Sequence, residues 1–275
     1  MFLRRLCRNK KALFGSIMWI SFVLAGIVAP LVTPYRYDQM RAGQLYELPS
    51  WQHPMGADEY GRDILTRILF GTRQSLLISI AIAAIALAIG VPLGLVSGYV
   101  KGRVDDVLMS LADVMFSLPT VLWALIAFTL LGTGLKTVVI ALSLTYAPQY
   151  LRLLRASALS ISARQYVEAA QSIGASHWRI IVRHILPNCM VPLIVQTALI
   201  MSFAILDEAA LSFVGLGAQP PQPSWGLMLR TGMNNMYRAV HLVFFPGLIV
   251  VYIILALNML ADGLRDVLDP YAMQT

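Results

Sequence analysis

Residues 166–188 read YVEAAQSIGASHWRIIVRHILPN, a basic and Gly-punctuated stretch in a chain that is otherwise strongly apolar. Tyr166, Val167, Ala170 and Ile173 recur at helical spacing, and Gly174 suits the left-handed conformation that ends a helix. Ser176 then stands where a cap is needed for a second helix, in which Trp178, Ile181, Val182 and Ile185 form an i, i+3, i+4, i+7 apolar face. Arg179 and Arg183 fall one turn apart on the other side. The spacing therefore predicts two short helices joined at a Gly elbow, returning to apolar sequence at Pro187. An amphipathic loop resting on anionic headgroups would need the same apolar face and basic flank. It would not need Glu168-Ala169-Ala170, whose two methyl side chains leave a thin helix surface beside one carboxylate, a shape suited to a groove on a soluble partner.

Outward from this segment the chain reads as membrane protein. Across 275 residues 58% are hydrophobic and 13% charged, against about 25% charged in soluble domains. A helix crossing the ~30 Å hydrocarbon core needs roughly 20 apolar residues, and six stretches qualify: 12–32, 76–99, 107–131, 137–154, 189–212 and 239–261. The expected fold is all-α and polytopic, with an even number of spans placing both termini on one side. The first span follows Arg4, Arg5, Arg8, Lys10 and Lys11, as a secretory signal would. Its apolar run is longer than a signal's, however, and no small-x-small cleavage site follows, so it is read as retained. Of the 21 Lys and Arg, thirteen fall on the side of the termini and of 166–188, and eight on the other. That bias puts both termini and the opening segment in the cytoplasm.

The parts between follow. Residues 1–32 form the N-terminus and first helix, 33–75 an external loop, 76–262 a five-helix core with the segment 162–187 inside it, and 263–275 a cytoplasmic tail. In the external loop GRDILTRILFGTRQSL places Ile64, Leu65, Ile68 and Leu69 on one helical face. A later loop, FVGLGAQPPQPSWGLML, is expected to be a shaped connection and not a helix. Gly90, Gly94 and Gly98 recur every fourth residue, a face for close helix packing. Pro119 and Pro148 each remove a backbone donor within a span and should bend it. Asp113, Asp207 and Glu208 fall inside apolar spans, where ionisable groups are candidates for the translocation path; inter-subunit pairing or solvation at a helix end would also hold them.

Other chemistry finds little support. Cys7 and Cys189 are too few and too scattered for a disulfide framework or a thiolate site. His177 and His184 lie two turns apart with no carboxylate nearby, so no metal site is expected. The net charge of +7 has no soluble basic domain to use it, which argues against nucleic acid. Gly132-Thr-Gly134-Leu-Lys136-Thr137 lacks the spacing of a phosphate loop. Any ATP-driven work must use another chain.

Glu168-Ala169-Ala170, three residues, Gly174 and later Leu186-Pro187 resemble the EAA motif of ATP-binding-cassette importer permeases. The wider pattern has an aliphatic residue where this chain has His184, but RHILPN is familiar in the peptide and nickel branch. HPMGADEYGRDILTRILFGTRQSL, LSFVGLGAQPPQPSWG and LADGLRDVLDP are similar to the matching blocks of dipeptide, oligopeptide and nickel permeases of the C type. The resemblance is collinear over residues 53–270.

It implies a type I importer permease fold in the bacterial inner membrane. The implied partners are a B-type permease, two ATPase subunits carrying ATP and Mg, and a periplasmic or lipid-anchored binding protein, with membrane lipid around the chain. This chain would hold no cofactor and catalyse no reaction. Glu168, Ala169, Ala170, Gly174, Ala175, Arg179 and Pro187 would form the coupling element. The implied cargo is peptide, with nickel or metal chelates, glutathione and other small solutes as alternatives. A stand-alone secondary transporter is the competing class, weakened though not excluded by the lack of an internal sequence repeat.

Overall fold

The computed structural model describes residues 9–268. Arg4, Arg5, Cys7, Arg8 and the chain beyond 268 lie outside the described residues. Among the described residues the chain is helical, with one isolated bridge between Ala57 and Asp63.

Helix α1 spans Lys10–Val32 and is capped by Asn9, whose Oδ1 accepts from the Ala12 N–H. An irregular arm follows to Asp63, which caps α2, Ile64–Val100, through the Thr66 N–H at 2.7 Å. Helix α2 has 37 residues, about 55 Å at 1.5 Å per residue. The amphipathic run and the second span are thus one helix. Its first turns bury Ile64 and Ile68 beside Trp225 and Leu242 while its later turns enter the bundle.

Helices α3, Gly102–Phe116, and α4, Thr120–Leu131, meet at 89° around Ser117–Pro119. The expected third span is therefore broken outright, because Pro119 can neither donate to the preceding turn nor let the residue before it stay helical. One freed carbonyl is recovered when the Trp123 indole donates to Met115 O at 2.9 Å. Pro148 behaves differently: it sits inside α5, Leu135–Ser162, which continues through it without interruption.

After α6, Gln165–Ser172, comes α7, His177–Ile180, which runs through a π turn at Ile181–Ile185 and a 3₁₀ turn at Leu186–Cys189 into α8, Met190–Val214. Helices α9, Trp225–Asn234, and α10, His241–Leu268, complete the chain. The loop expected to be irregular through Leu229 is so only to Ser224; from Trp225 the backbone is helical, and Trp225 is fully buried. Among the described residues four segments are long and apolar enough to cross a membrane: α1, α2, His177–Val214 and α10. The bent α3–α4 pair makes a fifth. Helix α5 is less apolar, since Gln149, Arg152 and Arg155 interrupt it.

Two glycine seams hold the layer together. Gly90, Gly94 and Gly98 of α2 face the backbone of α5 at Ala147, Leu151 and Arg155; a Cβ at Gly94 would stand 2.5 Å from Leu151 O. Gly15 of α1 likewise meets α10, with 2.5 Å between a built Cβ and Leu260 N. Removing the side chain lets backbones approach to van der Waals contact, the main attraction between helices in lipid. Outward from the second seam, Phe14, Ile17, Leu24 and Ile27 are exposed along α1, a surface fit for acyl chains.

Candidate functional site: a glycine elbow and the charges within the helices

Val167 and Ala170 anchor α6 by burial, while Glu168 and Ala169 are exposed beside them. Helix α6 ends in a left-handed residue: Gly174 has φ +81, its N–H donates to Gln171 O at 2.9 Å, and the Ala175 N–H donates to Ala170 O at 3.1 Å. This is a Schellman closure, and it requires glycine for its conformation, since a Cβ there would meet nothing within 4 Å. Ser176 Oγ accepts from the Arg179 N–H at 3.4 Å and starts α7. Ala175 is half-buried, and Arg179 and Pro187 are exposed.

The apolar face read from the spacing needs correction. Ile180 and Ile185 are fully buried and Ile181 half-buried, whereas Trp178 is 74% exposed and Val182 lies at the surface. The cause is the π turn over Ile181–Ile185, which brings residues five apart onto one side and displaces the i, i+3, i+4 set. Ile173, expected to join the apolar face of α6, is 86% exposed instead. The elbow thus presents Ile173 and Trp178 on either side of Gly174, framed by the exposed Glu168, Arg179 and Arg183. His184 packs its ring 6.3 Å from that of Tyr166, and its carbonyl accepts from Asn188 Nδ2.

One residue that the sequence reading passed over ties this elbow to the bundle. Tyr99, near the end of α2, shares a 2.8 Å hydrogen bond between its hydroxyl and His177 Nδ1, and Gln171 Nε2 donates to the same hydroxyl at 3.5 Å. Asp105 was missed too. It accepts from Ser97 Oγ at 2.5 Å and from Arg155 Nε and Nη2 at 2.5 and 2.7 Å, fastening α3 to α2 and α5. The signal available was Arg155, a charge directly following the apolar stretch 137–154, where a partner is needed.

The three carboxylates expected within apolar spans do not converge. Asp113 pairs with Arg152, whose guanidinium also lies 4.2 Å over the Phe116 ring; both members of the pair are open, at 67% and 46% side-chain exposure. Asp207 Oδ2 accepts from the Tyr146 hydroxyl at 2.6 Å. Glu208 is buried and takes Ser212 Oγ at 2.7 Å and Ser224 Oγ at 3.0 Å on one oxygen, pinning the 215–224 loop. Its other oxygen has no partner among the described residues.

At the far end from the elbow the arm folds around a second polar cluster. His53 Nδ1 lies 2.9 Å from Asp63 Oδ1, Arg62 Nε donates to Asp58 Oδ2 at 2.6 Å, and Arg67 Nη1 donates to Tyr37 O at 2.8 Å. All five of these side chains are buried. Glu59 borders them in a cleft of about 500 Å³ with Pro221 and Met228, and burial first, then the Asp58 charge, raises its pKa. Among the described residues no group of His, Cys, Asp and Glu could hold a metal ion.

Long apolar helices joined by glycine seams, with charges confined to interhelical pairs and to the ends, define a polytopic helical membrane protein. The model of the family "binding-protein-dependent transport system inner membrane component" matches residues 90–273, and that of the N-terminal transmembrane domain of oligopeptide transport permease C matches 1–49. The chain belongs to this family of inner-membrane permeases, as the resemblance in its sequence implied. It is 42% identical to the di/tripeptide transport system permease protein DppC of Pseudomonas aeruginosa (strain UCBPP-PA14), over 98% of this chain and 91% of the relative. It is 38% identical to the glutathione transport system permease protein GsiD of Pectobacterium atrosepticum, over 98% and 90%. A chain of the inward-facing MetNI methionine ABC transporter has the same fold with a TM-score of 0.62 at 16% identity, covering 74% of this chain and 97% of that one. The type I importer permease fold follows.

Proposed function

We propose that this chain is the C-type permease of an importer for short peptides, and that the Gly174 elbow is the point at which a separate ATPase drives it. The observation that carries the proposal is the exposure of Ile173 and Trp178 around a glycine-dependent turn that is itself tied to α2 through Tyr99. An isolated domain has little reason to leave an Ile and a Trp exposed on the two sides of one turn. A cleft on a partner removes that cost, and Glu168 and Arg179 supply the charges that orient the docking. Closure of the ATPase pair on ATP and Mg would push the elbow, and the Tyr99 contact and the π turn would carry the push into α2 and α8.

In this reading the chain makes six crossings, counting α5 and the bent α3–α4 pair, and both termini and the elbow lie in the cytoplasm. It pairs with a related B-type permease, two ATPase subunits and a binding protein that docks from outside, either free in the periplasm or anchored to lipid. Peptide is the first cargo, on the strength of the relatives named for di/tripeptide transport. Glutathione, itself a tripeptide, is the second, because another relative of nearly the same identity is named for it. Asp113, Asp207 and Glu208 border the route.

Reconstitution tests it. The chain with its partner permease, ATPases and binding protein should accumulate dipeptide in proteoliposomes only when ATP is supplied. Uptake by the purified chain alone, driven by an ion gradient, would instead identify a secondary transporter.

A further inference from the structure

Between α5 and α8 the polar side chains are not scattered. Tyr146 donates to Asp207 at 2.6 Å, Tyr150 donates to Thr197 at 3.0 Å, and Gln196 donates to Gln149 at 3.0 Å. Beyond them, Arg152 pairs with Asp113. Ordered along α5, these contacts form a slanting ladder from the end that bears Asp207 toward the end that bears the elbow. On α8, Gln196 and Asp207 share one face about three turns apart. Gln149, Gln196, Thr197 and Asp207 are each half-buried, and Arg152 is exposed, so the ladder also has an open side.

A partly open carboxylate, two amides and a guanidinium along one line are costly against acyl chains and are retained where a polar surface is used. Elsewhere the same helices expose apolar side chains, Leu206, Phe203 and Leu144. Asp207 is the distinctive rung. Tyr146 holds one of its oxygens and leaves the other without a hydrogen bond among the described residues. This oriented, half-satisfied carboxylate complements an ammonium group, and the paired amides further along complement peptide N–H and C=O groups.

We infer that the α5–α8 ladder lines the route of the cargo and that Asp207 receives the cationic α-amino group of an incoming peptide, with Tyr146 as its positioning residue. This rests on the peptide-importer reading above. The order of the rungs gives the route a direction: charge capture at Asp207, hydrogen-bond exchange at Gln149 and Gln196, and release past Arg152 beside the elbow.

The test uses the whole transporter, with partner permease, ATPases and binding protein, in proteoliposomes, on a background with Cys7 and Cys189 replaced by serine. Asp207→Cys should lower the rate of ATP-driven dipeptide uptake about tenfold or more, the scale of one hydrogen bond to a charged group. Reaction of that cysteine with a water-soluble sulfonatoethyl thiosulfonate restores the negative charge and should recover most of the rate. Reaction with the aminoethyl reagent installs a positive charge and should not. Tyr146→Phe should raise the KM for dipeptide more than it lowers kcat. Equal responses to the two reagents, or full uptake by Asp207→Cys without modification, would overturn the role of Asp207 while ATP-driven uptake by the parent left the importer reading intact. Loss of ATP dependence in the parent would strike the importer reading instead.

Discussion

Around Asp58 two guanidinium groups close on one carboxylate, Arg62 Nε at 2.6 Å and Arg67 Nε at 3.8 Å, and all three side chains are buried. At the elbow Glu168, Arg179 and Arg183 are exposed and form no ion pair among the described residues, and Ile173 and Trp178 stand open between them. The two regions draw on the same kinds of residue. In the first, every charge is neutralised within the chain, so the cluster shapes the arm and fixes it on α2. In the second, the chain's own contacts are the buried Val167, Ala170, Ile180 and Ile185 and the Tyr99 hydrogen bonds to His177 and Gln171, and the exposed Ile173, Trp178 and charges are left for a partner. Substitutions in the first region should therefore affect stability, and those in the second should affect coupling.

The largest stability effect is expected at the arm. Asp58→Ala removes the carboxylate shared by Arg62 and Arg67, leaving Arg62 only Glu59 at 3.4 Å and the buried Arg67 with no carboxylate among the described residues; breaking such a buried pair costs about 3–5 kcal/mol. The apparent thermal midpoint of the purified chain should fall by many degrees; an unchanged midpoint would remove the distinction between the regions. Gly174→Val comes next. A β-branched residue at φ +81 costs on the order of 1–2 kcal/mol or more locally, enough to redirect α7. The subunit should still insert and assemble its arm, while binding-protein-stimulated ATP hydrolysis and uptake are lost. Trp178→Ala and Ile173→Ala should each change stability by less than about 0.5 kcal/mol, as surface substitutions do. If the pair anchors an interface, each should still weaken ATP-linked uptake by about tenfold.

The smallest effect concerns Glu59, whose pKa is raised by burial and by Asp58 against the smaller opposing pull of Arg62. A carboxyl with a raised folded pKa gives its full stabilisation below the unfolded value of 4.5 and loses it as pH rises through the folded value. Glu59→Gln mimics the protonated form, so it should raise the thermal midpoint at neutral pH and lose that advantage at pH 4. A gain that persists at pH 4 would place its origin elsewhere.

How much of this the sequence displayed depends on the range of the interaction. The elbow was legible because its determinants are local: Gly174 for a positive φ, Ser176 for a cap and Ala170 three positions before the C-cap. The glycine repeat at 90, 94 and 98 was legible as a face, though not its partner, since α5 offers backbone at Ala147, Leu151 and Arg155 with no pattern of its own. The π turn at Ile181–Ile185 was invisible. A single inserted residue in a helical repeat changes which side chains point inward without changing composition, and so Trp178 was assigned inward. The ion pairs of Asp58, Asp105 and Asp113 were not readable as pairs, because each side chain could reach several others until tertiary packing selected one. Pro119 and Pro148 carried the same sequence signal and gave different outcomes. The first is backed by Ser117 and by a Trp123 indole that caps the broken end; the second sits in a packed seam that keeps α5 continuous.

Docking of an ATPase at the elbow is tested most directly by proximity. Single cysteines at Ser172, Ile173 and Trp178, combined with cysteines along the cleft of the ATPase subunit, should cross-link in native membranes, with yields that change when ATP is bound. Cysteines at Met40 and Leu48, exposed on the arm at the opposite end, should give none. Absence of cross-links across the whole elbow panel, in membranes that still carry out ATP-driven uptake, would contradict the assignment.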